Sequence, residues 1–151
     1  MEAMGRCYLG NAEEALGQPP TASFEQARVV ARTIASPVRF DALAGLARAA
    51  LMRGDSALAG QHVGELQAHL AAGGTLEGTH EPRRIELTCY LVLAGAGDPG
   101  AAAMLQRTHD ALEAAAASIT DTALRHSFLD NIPEHREVIA AWAARPANLR
   151  H

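Results

Sequence analysis

Between Pro37 and Ala72 apolar residues recur at helical spacing in two segments that meet at Gly54-Asp55. The first opens on Ser36-Pro37, a capping hydroxyl followed by a residue whose fixed φ and missing N–H suit a first helical turn. After it Phe40, Leu43, Ala44, Ala47, Ala50 and Leu51 fall three and four apart, one stripe on a helix. Gly54 tolerates the left-handed conformation that ends a helix, and Asp55 can cap the next one. There Leu58, Ala59, Val63, Leu66 and Leu70 repeat the period until Gly73-Gly74 stops it. The pattern predicts a helical hairpin. A lone pair buries only part of two such stripes, so the remainder calls for neighbouring pairs, as in helical-repeat arrays.

The flanking pattern supplies those neighbours. Met1 to Leu9 reads as a short helix ending at Gly10-Asn11, and Ala12 to Leu16 as a restart broken by Gly17-Gln18-Pro19-Pro20. Ser23 with Gln26 fits a capping box for a helix carrying Phe24, Ala27, Val30, Ala31 and Ile34. Gly73 to Pro82 is the longest loop. Ile85 to Ala94 alternates at its start as a strand would, but no partner strand is in sight to satisfy its backbone, which favours helix. Gly97-Asp98-Pro99 then opens a helix that runs to about Ser118. Two shorter helices follow, roughly Asp121 to Asp130 and Pro133 to Ala144, with Asn131 and Glu134 as a capping box between them. The expected fold is all-α, a right-handed antiparallel array of helix hairpins with about eight helices. It forms one domain over residues 1–151, with units at 1–36, 37–79 and 80–118 and a closing pair at 119–145.

Composition sharpens this picture. Hydrophobic residues make up 48% of the chain and aromatics only 4%, so the core must be aliphatic and alanine-lined, which lets helix axes approach to about 8 Å. All 13 basic residues are arginine. The absence of lysine excludes a P-loop lysine and a Schiff-base lysine together. A formal charge of −4 argues against nucleic-acid binding, which needs a clustered excess of cations. The longest apolar run, Cys89 to Gly97, is far short of the ~20 residues a membrane helix requires. Cys7 and Cys89 are isolated and match no metal or disulfide framework, so reduced thiols in a cytoplasmic protein are expected. The N-terminus carries Glu2 and Arg6 without an apolar leader.

An internal repeat is visible in the turns. Gly10-Asn11, Gly54-Asp55 and Gly97-Asp98 stand 44 and 43 residues apart, and an alanine follows each glycine by five: Ala15, Ala59 and Ala102. Leu43, Leu46, Ala47 and Ala50 before Gly54-Asp55, then Ala59 and Val63, resemble the small/large pattern of tetratricopeptide repeats, at a period longer than their usual ~34 residues. The tail from Ile119 through Asp121, Leu124, Arg125, Phe128, Leu129, Asn131 and Pro133 to Arg136 is similar to the C-terminal end of large bacterial regulators. Those proteins carry an ATPase module, sometimes with an adenylate-cyclase-type domain, ahead of such repeats. The resemblance implies a helical-repeat region without an active site of its own, because the nucleotide-binding and cyclase parts have no counterpart in these residues.

The candidate chemistry is sparse. His62, Glu65 and His69 share a helix face and could ligate a first-row metal, but neither an HExxH motif nor paired Glu-x-x-His sets accompany them, so a solvated face is the simpler reading. His109 with Glu113 reads as a surface pair. Ser56 reads as a first-turn residue and not as a nucleophile elbow. The two cysteines read as buried packing, and Arg125 and Arg136 as salt-bridge or carbonyl partners. What remains is a surface. First helices of successive hairpins would line a concave groove, presenting Asp41, Ala44, Arg48 and Met52 from one and Arg84 and Thr88 from the next, to bind a protein, a peptide or another domain of a parent protein. The expected function is a non-catalytic scaffold for protein interaction or regulation, at the C-terminal part of a bacterial signalling or transcription-regulatory protein, with no cofactor. A small-ligand-sensing helical domain is the alternative, and a helical metalloenzyme a more distant one.

Overall fold

Helices form wherever the apolar period runs between one glycine or proline break and the next. The computed structural model describes residues 1–145, so the domain end expected at 151 lies outside the described residues. Its helices are α1 (Glu2–Ala15), α2 (Thr21–Thr33), α3 (Val38–Met52), α4 (Ser56–Ala71), α5 (Pro82–Gly95), α6 (Gly100–Ala117), α7 (Thr122–Asp130) and α8 (Pro133–Ala144). Among the described residues there is no strand; Ile85 to Ala94 lies inside α5. No helix of the described residues is long and apolar enough to cross a membrane.

Three turns share one backbone device. Gly17, Gly54 and Gly97 have φ of +69°, +73° and +66°, and each closes the helix before it with the paired bonds of a Schellman motif. At Gly54 these run from its own N–H to Leu51 O (2.9 Å) and from Asp55 N–H to Ala50 O (2.9 Å). Gln18 N–H to Glu13 O (2.8 Å) and Asp98 N–H to Leu93 O (2.9 Å) are the equivalents at the other two. Asp55 and Asp121 cap α4 and α7 by accepting from Leu58 N–H (3.0 Å) and Leu124 N–H (2.9 Å). Ser36 Oγ accepts from Val38 N–H at 3.3 Å ahead of α3.

The first unit departs from the expectation. Gly10-Asn11 is no turn, because α1 runs through it unbroken and the turn lies at Gly17-Gln18. The physical reason is Phe24. Its ring, 1% exposed, is wedged where a Cβ on Gly10 would stand 2.7 Å and one on Gly45 2.4 Å from ring atoms. Glycine thus serves close approach inside two helices. The turn glycines are consequently 37 and 43 residues apart, and the alanine column fails, since only Ala59 of the three is buried. Two capping boxes fail as well. Ser23 is buried within α2, which starts at Thr21 after Pro20, and Asn131 Nδ2 donates to Ser127 Oγ (2.8 Å) instead of capping α8.

Packing repeats more faithfully than sequence. Helix α3 lies against α1 and α2, α5 against α3 and α4, and α8 against α5 and α6. Each junction has its own core: Cys7, Ala27, Ala31 and Ala42 in the first, Leu43, Val63, Leu66 and Ile85 in the second, Leu87, Leu112 and Val138 in the third. Leu66, Ile85 and Leu112 are 0–1% exposed, and each contributes about 1.5–3 kcal/mol by leaving water. Helix α3 is the centre of this plan and buries residues on every side, from Val38 and Asp41 to Ala49 and Ala50, where periodicity alone indicated a single stripe.

Candidate functional site

The side chains expected to line a groove converge, but on each other. Asp41 and Arg48 are seven residues apart on α3, Arg84 and Thr88 four apart on α5, and Asn11 and Glu14 three apart on α1, so each pair shares a face. Arg48 Nε donates to both Glu14 carboxylate oxygens (2.9 and 3.1 Å), Nη2 to Asn11 Oδ1 (3.2 Å) and Nη1 to Thr88 Oγ1 (3.3 Å). Arg84 reaches Glu14 (3.4 Å), Glu81 (3.2 Å) and Glu134 of α8 (3.5 Å). Asp41 accepts from the backbone N–H groups of His80 and Glu81, both at 3.0 Å. Tyr8 Oη lies 2.8 Å from His80 Nε2.

Burial pushes the Asp41 carboxyl above its ordinary value, and the two backbone donors oppose that shift. Burial, and after it the like charge of Arg84, pulls Arg48 down, although a guanidinium stays charged. The void left inside the cluster is about 10 Å³, room for one water at most. Asp41, Arg48, Arg84 and Thr88, four of the six groove residues, therefore form an internal strut joining α1, α3, α5, the 73–81 loop and α8. Ala44 is buried beside them against the void, and Met52 stands exposed at the end of α3 outside these contacts. The loop is held by Leu76, 7% exposed in the central core.

The open space lies beyond Arg84. A cleft of about 470 Å³ is bounded by Arg83 and Arg84 at the start of α5, Ala111 and Ala115 of α6, Phe128 of α7 and Ile132 in the turn before α8. His80, Glu81, Glu134 and His135 complete its rim. His135 Nδ1 donates to Phe128 O at 2.7 Å and its ring packs on Phe128 at 4.4 Å between centroids, fixing that wall. Arg125 holds the α6–α7 link by donating to Ile119 O (3.0 and 2.6 Å), and Arg136 Nη1 donates to Asp130 O (3.0 Å), both as expected of carbonyl partners. Sequence reasoning did not single out Ala111, Ala115, Phe128 or Ile132. The aromatic Phe128 was legible as apolar, but which helix it faces was not.

The other candidates separate. His62 is buried, 7% exposed, and not on a solvated face; burial, and then Arg28, lowers its pKa. Glu65 pairs with Arg28 at 3.6 Å, while His69 stacks on Phe40 and its Nε2 donates to Thr75 O (2.8 Å). Among the described residues no group of three or more His, Cys, Asp or Glu side chains converges as metal ligands would. Cys7 and Cys89 are buried, and burial pushes each thiol up to about 12. His109 lies 3.9 Å from Glu113 and stacks on Trp142. Ser56 is the first residue of α4. Comparison with protein-family models, with curated proteins and with solved structures finds no match for this chain.

Proposed function

We propose that this chain is a non-catalytic helical-repeat scaffold of tetratricopeptide type that binds a protein or peptide in the cleft between α5/α6 and α7/α8. The observation that carries the reading is the packing relation stated above. One helix lies against both members of the preceding pair, and this recurs at α3, α5 and α8, each time with its own core. A chain that devotes α1, α3 and α5 to an internal ion-pair strut gains a stiff row, and the cleft at its far end has the apolar floor and charged rim that suit capture of an apolar anchor side chain. Arg84, expected as a groove residue, takes part as the hinge between strut and rim. The resemblance of residues 119–136 supports placing such a scaffold in a cytoplasmic bacterial regulator.

The test is selection of a random peptide library on the folded protein, with Ala111→Trp and Ala115→Trp as counter-targets that fill the cleft. Peptides that share an aromatic or aliphatic anchor and lose binding to both variants support the reading. A library that yields no binder, or binders indifferent to both tryptophans, removes it.

A further inference from the structure

A second opening, on the side of α3 away from the strut, has a different chemistry. About 400 Å³ lies between α2, the start of α3 and α4, walled by Arg28, Arg32 and Arg39 and floored by Phe40, Leu43 and Ala68. Three guanidinium groups face one carboxylate there, Glu65, which engages Arg28 alone at 3.6 Å. In a chain whose formal charge is −4 this is a local reversal of sign. Two further features prepare it. Arg39 lies over the Phe40 ring (4.6 Å to the centroid), Phe40 stacks on His69 (4.2 Å, 29° between planes), and His69 is tied to Thr75 O, so the guanidinium is held by a fixed stack. The turn joining Arg32 to Arg39 contains Ala35 at φ +51°, among the described residues the one non-glycine in the left-handed region. That residue ends α2 as the turn glycines end their helices, with Ala35 N–H to Arg32 O (3.2 Å) and Ser36 N–H to Ala31 O (2.8 Å), and so fixes how Arg39 follows Arg32.

We propose that this opening binds a small organic phosphate, its anionic group held by Arg28, Arg32 and Arg39 and its carbon body resting on the Phe40–Leu43–Ala68 floor. Guanidinium forks match phosphate oxygens in number and plane, and the volume is that of a small-molecule site. The inference does not depend on the peptide-binding reading, since the two openings share no residue.

Isothermal titration with phenyl phosphate and with inorganic phosphate at low ionic strength tests it. Phenyl phosphate should bind saturably and at least about tenfold tighter than inorganic phosphate, and Arg32→Gln and Arg39→Gln should each weaken it about tenfold, the equivalent of one charge-assisted hydrogen bond. Glu65→Gln, which frees Arg28, should tighten binding by about threefold. Arg136→Gln on α8 controls for net charge and should change nothing. Absence of saturable binding, equal affinity for the two probes, or equal losses in Arg32→Gln and Arg136→Gln would each overturn the proposal. If Arg39→Gln fails to fold by circular dichroism, exposed Arg32 and Glu65 carry the decision.

Discussion

Replacing Gly45 by alanine sets two opposed effects against each other at one atom. Alanine in a helix interior is favoured over glycine by about 1 kcal/mol, so the change would stabilise α3 if space allowed. Space does not allow it: the added Cβ meets the Phe24 ring at 2.4, 2.5 and 2.6 Å, about an ångström inside ordinary contact. The ring, 1% exposed, is already wedged against Gly10 on its other side and has nowhere to withdraw. Overpacking of this kind costs about 1–3 kcal/mol. Gly60 and Gly64, in α4, have nothing within 4 Å of the same added atom and experience only the favourable term. Because helix propensity is common to all three substitutions, Gly45→Ala should lie below Gly60→Ala and Gly64→Ala by the overpacking cost, about 1–3 kcal/mol. For a domain of this size that is a separation of roughly 2–12 °C in Tm. Thermal denaturation followed by circular dichroism, with urea titration for the free energies, measures it. Adding Phe24→Leu to Gly45→Ala should be less costly than the sum of the two single changes, since the smaller side chain makes room. A Gly45→Ala protein as stable as Gly60→Ala would refute the wedge.

Other outcomes follow from the buried polar groups. Arg48→Met leaves Glu14, Asn11 and Thr88 without a shared donor and should cost about 1.5–3 kcal/mol in urea unfolding, with part of the loss recovered by Glu14→Gln in the same chain. Glu86 has its carboxyl raised above the ordinary 4.5, by burial first, with Arg83 and Arg107 opposing. The folded state therefore holds the proton longer than the unfolded one, and wild-type stability falls as pH rises from the unfolded value through the folded one. Glu86→Gln lacks that loss, so its stability relative to wild type should increase over the same window in urea titrations at stepped pH; a flat difference would contradict the shift. Cys7 and Cys89, both raised by burial from the ordinary 9.0 to about 12, hold roughly a thousandfold less thiolate than an exposed cysteine. Iodoacetamide should leave both unmodified in the native protein and alkylate both in guanidinium, as read by mass spectrometry.

What the sequence conveyed was local. Helix starts and stops at Asp55, Asp121, Pro133, Gly54 and Gly97 were legible because each is decided within a few residues by a cap, a fixed φ or a left-handed glycine. Gly10 was misread because a glycine beside an asparagine carries the same local signature whether it ends a helix or makes room for a ring. Phe24, which decides the matter, is 14 residues away and on another helix. The groove residues show the same limit. Helical spacing correctly put Asp41 with Arg48 and Arg84 with Thr88, but the partners that close the surface, a carboxylate acceptor from α1 and backbone N–H donors from the 73–81 loop, belong to distant segments, and the loop's path depends on Leu76 entering a distant core. The cleft was invisible for a related reason: it exists because α8 packs along both α5 and α6 while α7 meets α6 over a shorter stretch, and no periodicity states how two short helices share the docking.

That sharing has an evolutionary corollary. Segment 122–130 has no fully buried side chain, yet it furnishes Phe128 to one wall of the cleft. Under the peptide-binding reading proposed above, changes there would redirect what is recognised while Val138, fully buried on α8, keeps the core closed, so selectivity and robustness would drift apart under separate pressures.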